Sequence, residues 1–222
     1  MKNNFDGIIF DMDGILVDVS KSYRKAIRLT SSYFLNREVK KEEVDIIKNK
    51  IGMNNDWDAT YTLINNPRIP YEKVKSYFQK LYLGNSKRKG LIDNEPLLIS
   101  KKILNQMRIK YNRLAIATGR PKKEAQYVIK KNKLDGLFDC IVAMEDIANG
   151  KPAPDMLLTV IKKMGFKNTV YIGDSPSDVI AADKAGIPSI YVGAQRIGSV
   201  RFSSILRVIK YLLLNIYYEK NI

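Results

Sequence analysis

Two aspartates one residue apart close an apolar run, Gly7-Ile8-Ile9-Phe10-Asp11-Met12-Asp13-Gly14-Ile15-Leu16-Val17-Asp18. The run reads as a buried strand, and alternation across a strand turns Asp11 and Asp13 to the same side. Two carboxylates held there repel each other and lose hydration, a cost relieved by a cation or a shared proton. The alternative is architectural, with Asp13-Gly14 as a turn and Asp11 accepting from loop amides. A second acidic pair lies in Gly173-Asp174-Ser175-Pro176-Ser177-Asp178. Ser175 is placed to cap a helix and Pro176 to occupy its first position, so Asp174 and Asp178 lean toward one point from the first turn. The chain has no histidine, so a proton transfer near neutral pH falls to carboxylate, lysine, tyrosine or cysteine. Four carboxylates are hard oxygen donors of the kind that suits Mg²⁺.

The elements that must position these residues follow from periodicity. Residues 20–89 read as helical, with Tyr23, Ile27, Tyr33 and Phe34 as one partial stripe and Val44, Ile47 and Ile51 as another. Two further helices are expected over 57–65 and 71–83, broken by Asn66-Pro67-Arg68-Ile69-Pro70, and no strand alternation is visible in this block. From Glu95 onward helices (96–111, 121–131, 154–164, 175–185) alternate with strands (113–118, 140–144, 169–173, 188–192), which predicts a parallel sheet with helices on both faces. The fold class is therefore α/β, a Rossmann-like doubly wound sheet carrying an all-helical insertion. Ligands of such sheets bind outside the carboxyl ends of the strands. There this chain places Asp11 and Asp13, Thr118-Gly119-Arg120, Glu145-Asp146 with Gly150-Lys151-Pro152, and Asp174 with Asp178.

Composition sets the bounds. With 222 residues, 45% of them hydrophobic and 27% charged, the chain has the makings of one α/β domain with a modest insertion. The single cysteine, Cys140, forms no internal disulfide and fits a reducing cytoplasm. Met1-Lys2-Asn3-Asn4 leads straight into the first strand, so no signal segment is expected. The stretch 205–218 is interrupted by Arg207, Lys210 and Asn215, which makes it an amphipathic helix docked on the body or on a partner subunit rather than a membrane span. A net charge of +15 attracts anions. Its spread over many segments argues against a nucleic-acid partner and for a lysine-rich solvated surface.

Taken together, the DxDGxLxD stretch, Thr118, the Lys151-Pro152-x-Pro154-Asp155 segment and the Gly-Asp-x-x-x-Asp loop resemble the haloacid dehalogenase superfamily of hydrolases, in the family's order and spacing over nearly the whole chain. The helical insertion between the first two motifs is similar to the cap of the phosphoglycolate-phosphatase-like subfamily IA. Phrases such as Asn54-Asn55-Asp56-Trp57-Asp58 and Ala117-Thr118-Gly119-Arg120-Pro121 look like a poorly characterised group within it. The resemblance implies a core of residues 1–18 and 93–222 with a cap of 19–92, and a cytoplasmic monomer or homodimer.

By the same resemblance the activity is Mg²⁺-dependent hydrolysis of a small phosphate monoester. Asp11 is the expected nucleophile and Asp13 the acid and base, and Mg²⁺ is held by Asp11, the Asp13 carbonyl, Asp174 and Asp178. Thr118 and Lys151, with Gly119 and Arg120 beside Thr118, are expected to hold phosphoryl oxygens, though Arg120 and Asp146 equally suit helix-end roles. Asn54, Asn55 and Asp56 are expected to contact the substrate from the cap, while Asp56 would also serve as a helix cap. An acid at Asp13 favours phosphate esters over carbon–halogen bonds, because halide leaves without a proton. Two alternatives share the core residues: a sugar-phosphate mutase, and a catalytically weak basic binding protein.

Overall fold

The computed structural model describes residues 5–51, 53, 55–85 and 87–214. The chain folds as two compact units, one running to Val17 and resuming at Leu97, the other Asp18–Pro96. The expected boundaries lay at 18/19 and 92/93. The 3₁₀ turn Leu91–Asn94 instead packs on helices of the second unit, and Tyr82 donates to the buried Glu95 at 3.0 Å, which draws the boundary to Pro96.

The first unit begins with β1 (Gly7–Phe10), buried throughout. In the second unit follow α1 (Tyr23–Leu35), α2 (Lys41–Lys48), α3 (Asp56–Ile64) and α4 (Tyr71–Leu83), then a short antiparallel pair, β2 (Gly84–Asn85) and β3 (Arg88–Lys89). This pair is a correction to the all-helical expectation, and two residues per strand are too few to show alternation. Its helices bury Tyr23, Ile27, Val44, Ala59, Val74, Phe78 and Tyr82, with Tyr23 and Tyr82 stacked at 4.2 Å. Ile51, assigned to the second stripe, is 63% exposed, because α2 ends at Lys48 and the helical period no longer applies beyond it. Likewise Tyr33 lies outside the buried stripe, stacked on Tyr77 at 4.2 Å. Both α1 and α3 end on asparagines, Asn36 and Asn65, in the left-handed conformation (φ 50° and 46°) that asparagine tolerates best after glycine.

The first unit resumes with α5 (Lys101–Tyr111), β4 (Leu114–Ala117), α6 (Lys122–Lys131), β5 (Cys140–Val142), α7 (Asp155–Met164), β6 (Thr169–Gly173), α8 (Pro176–Lys184), β7 (Ser189–Val192), β8 (Val200–Phe202) and α9 (Ile205–Leu214). The helix expected from residue 96 starts at Lys101. Leu97 pairs with Val17 and Leu98 N–H donates to Leu16, which holds the chain extended until Ser100 caps the helix. The expected strand 140–144 is shorter, since Met144–Asp146 forms a 3₁₀ turn, and β8 adds a strand.

All six long strands pair in parallel in the order β5-β4-β1-β6-β7-β8. One face of the sheet, Ile9, Ala115, Ala117, Val142 and Tyr171, packs with Met156, Leu157 and Val160 of α7 and with Ala181 and Ala182 of α8. The expected C-terminal amphipathic helix is α9, whose Val208, Ile209, Tyr211 and Leu212 are buried against α5, β7 and β8; residues 215–218 of that stretch lie outside the described residues. No helix among the described residues is long and apolar enough to cross a membrane. The chain leaves β1 at the sheet centre between β4 and β6, and sheets of this kind bind ligands outside the carboxyl ends of their strands.

Candidate active site

Asp11 follows β1 and continues its ladder, its N–H donating to Ile172 at 2.8 Å. Thr118 follows β4, Asp174 follows β6, and Asp178 sits in the first turn of α8. The local sequence explains each placement. Gly14 has φ +71°, and a side chain there would run into the Asp174 carboxylate; the glycine of Asp13-Gly14 lets the two acidic loops close on each other. In the second loop the Ser175 Oγ accepts from Asp178 N–H while Asp178 Oδ2 accepts from Ser175 N–H, a capping box that starts α8 and aims Asp178 inward.

At the centre lies the Lys151 ammonium. It donates to Asp11 Oδ1 (2.9 Å), Asp178 Oδ1 (2.7 Å) and the Tyr171 hydroxyl (2.6 Å), and Tyr171 in turn donates to Asp178 Oδ1 at 2.9 Å. Asp11, Lys151 and Asp178 are each less than a tenth exposed. Burial is the largest influence on all three. It pushes the Asp11 carboxyl well above the usual carboxylate range; Lys151 opposes that, and Asp178, Asp13 and Asp174 add to it. Burial also lifts Asp178, yet the charge and hydrogen bonds of Lys151, with those of Ser175 and Tyr171, hold it below the ordinary value. For Lys151 burial pulls down while Asp11 and Asp178 outweigh it, leaving the lysine firmly protonated. The Tyr171 hydroxyl is pushed well up by burial and by the two carboxylates, so it stays neutral.

The metal expectation can be tested on this donor set. Oxygens of Asp11, Asp174 and Asp178 lie within 4.8 Å of one another, and this is the one such cluster among the described residues. Three hard oxygens around an excess of negative charge suit Mg²⁺. Asp178 already accepts four hydrogen bonds, whereas Asp11 Oδ2 accepts none among the described residues.

The other expected residues divide. Thr118 is fully buried and its Oγ1 accepts from Arg120 N–H at 3.2 Å, leaving its own proton to donate; a side chain added at Gly119 would meet open space. Arg120, expected among the phosphoryl contacts, has its buried guanidinium turned onto Asp13, Nε and Nη2 both 2.5 Å from Oδ1. Asp13 thus meets Arg120 with its carboxylate. Asp146 is a helix-end residue, accepting from Ala143 N–H and from Lys122 Nζ. In the second unit Asn55 caps α3, accepting from the N–H groups of Trp57 and Asp58, and Asp56 pairs with Lys48 at 2.7 Å; Asn54 lies outside the described residues. Sequence reasoning missed Tyr171. Its signal was a tyrosine in an otherwise aliphatic strand, where a hydroxyl must find a buried partner.

The site is thus an acid cluster around a buried lysine at the carboxyl edge of a parallel sheet, a donor set suited to a cation. The profile of haloacid dehalogenase-like hydrolases matches residues 8–192, and the chain belongs to that family. Among curated relatives, an imidazoleglycerol-phosphate dehydratase of Phytophthora nicotianae is 32% identical over 197 residues, covering 84% of this chain and 43% of that protein. The chain thus spans less than half the length of that relative. A phosphorylated carbohydrates phosphatase of Thermotoga maritima is 28% identical over 199 residues, covering 84% of each. Among solved structures, CbbY from Rhodobacter sphaeroides in complex with phosphate has a TM-score of 0.74 at 17% identity, covering 92% of this chain and 96% of that one; it shares the fold.

Proposed function

We propose that this chain hydrolyses the phosphate monoester of a small metabolite, with Mg²⁺ as cofactor and Asp11 as nucleophile. The observation that carries the reading is the Lys151-centred cluster: one buried ammonium bridging Asp11 and Asp178, with Asp174 close enough to share a cation. The T. maritima relative, named a phosphatase of phosphorylated carbohydrates, supports the same chemistry. Asp11, Asp174 and Asp178, with the Asp13 carbonyl, would hold the Mg²⁺, which when bound offsets the negative charge that otherwise keeps carboxylate and phosphate apart.

Lys151 holds Asp11 by Oδ1 and leaves Oδ2 to attack. The Oδ2–phosphorus bond forms as the bond from phosphorus to the leaving oxygen breaks, giving an aspartyl-phosphate. Asp13 gives the leaving oxygen its proton. It then takes a proton from the water whose oxygen attacks phosphorus, and inorganic phosphate and the Asp11 carboxylate are released. Lys151 and the Thr118 hydroxyl stabilise the charge on the transferring oxygens.

The test is phosphate release from p-nitrophenyl phosphate, 2-phosphoglycolate, glucose 6-phosphate and glycerol 3-phosphate, with Mg²⁺ and with EDTA. Turnover that needs Mg²⁺ and falls on the order of 10⁴-fold in Asp11→Asn is the expected result. Release from none of them, or undiminished release by Asp11→Asn, contradicts the reading.

A further inference from the structure

Asp13 is the more exposed of the two β1 carboxylates, its side chain 31% accessible, and an acid so placed turns freely unless something holds it. Arg120 is built to hold it. Its side chain is fully buried. Its main chain is fixed at both ends, N–H donating to Thr118 Oγ1 at 3.2 Å and C=O accepting from Met144 N–H at 3.0 Å. From that base Nε and Nη2 converge on Asp13 Oδ1, each at 2.5 Å. Oδ2 accepts no hydrogen bond among the described residues. The pattern repeats what Lys151 does to Asp11: a buried cation ties one oxygen and leaves the other for chemistry.

We infer that Arg120 is a positioning residue for Asp13, fixing the carboxylate through Oδ1 so that Oδ2 faces the leaving oxygen, and that Arg120 is not a ligand of the substrate phosphate. This rests on the reading of Asp13 as the group that protonates the leaving oxygen. In the step concerned the phosphorus–oxygen bond breaks, the Asp11 Oδ2–phosphorus bond forms, and the proton on Asp13 Oδ2 passes to the departing alkoxide. An alkoxide needs that proton, whereas p-nitrophenolate is stable without it.

The experiment compares kcat/KM, which covers steps only through phosphoryl transfer to Asp11. The substrates are p-nitrophenyl phosphate and the alkyl phosphate of the panel that wild type prefers. Arg120→Gln should lower the alkyl-to-aryl ratio of kcat/KM about 10–100-fold. Arg120→Lys, which keeps the charge with a single donor and covers the case in which Arg120→Gln does not fold, should lower the ratio less but in the same direction. Asp13→Asn should lower it at least as much, and adding Arg120→Gln to Asp13→Asn should change it no further. Equal losses on both esters, or losses that multiply in the double variant, overturn the inference and make Arg120 a phosphate ligand or a purely structural residue. Wild type that releases phosphate from neither ester overturns the reading of function and the inference with it.

Discussion

Lys151 in the sheet unit and Lys48 in the helical unit are both tucked against aspartates, at 2.7 Å from Asp178 and 2.7 Å from Asp56. The surroundings separate them. Asp56 opens α3, where a negative charge is favoured by the helix amides, and Lys48 also donates to Met53 O at 2.8 Å. Lys151 is shared between two buried carboxylates with Asp174 and Asp13 close by, and the sum leaves Asp11 far from its ordinary titration. A carboxylate whose charge is met by its neighbours is architecture. A cluster left with surplus negative charge is a donor set suited to a cation.

Removing the lysine from each site should break the comparison open. Lys151→Met leaves Asp11 and Asp178 buried against each other and should cost about 3–5 kcal/mol in urea unfolding at pH 7; a loss below about 1 kcal/mol would mean that the cluster is not coupled as described. Supplying the cation should act in the opposite sense. Mg²⁺ at millimolar concentration should stabilise wild type by about 1–3 kcal/mol, read as a rise in Tm, and Asp174→Asn should lose that response. A comparable rise in Asp174→Asn would place the ion elsewhere.

In the helical unit the effects should be smaller and confined to stability. Asn55→Ala removes a cap and should cost about 1 kcal/mol. Asp56→Asn should lower Tm while leaving the ranking of panel substrates unchanged. A changed ranking in a variant that still melts cooperatively would give Asp56 the substrate-reading role expected from sequence.

The smallest effect belongs to a surface pair. Asp139 accepts from Arg108 Nη1 and Nη2 (2.6 and 2.7 Å) and from Leu114 N–H. The Arg108 hydrogen bonds are the largest influence and hold its carboxyl below the usual range, burial opposing. A depressed folded value means stability present above the unfolded pKa of ~3.9 and lost as pH falls through the folded one. Asp139→Asn should therefore cost about 1 kcal/mol or less at pH 7, with the two proteins converging in acid.

The sheet unit was legible because its signals are local. Most of its strands are short apolar runs and α6, α7 and α8 begin at a proline or a capping serine, so β6 and α7 fall where periodicity puts them. The family was equally legible, since four motifs keep their order and spacing at strand ends. What stayed hidden depends on pairings distant in sequence. Tyr171 joins the cluster through Lys151, twenty positions away, and Arg120 meets Asp13 across 107 positions; neither pairing leaves a periodic trace. Strand β8 and the β2–β3 pair were missed because runs of two or three residues carry no alternation. For Asn55 and Asp56 the residue types suited a ligand or a helix start; Asn55 caps α3, and the Asp56 carboxylate pairs with Lys48.

The most direct test of the central claim is rapid mixing of Asp13→Asn with p-nitrophenyl phosphate and Mg²⁺, followed by acid quench and mass spectrometry. With its leaving group needing no proton and its attacking water lacking a base, this variant should release one equivalent of p-nitrophenolate in a burst, then stall with phosphoryl on Asp11. Steady release with no burst, or phosphoryl on another residue, would contradict an Asp11 nucleophile served by Asp13.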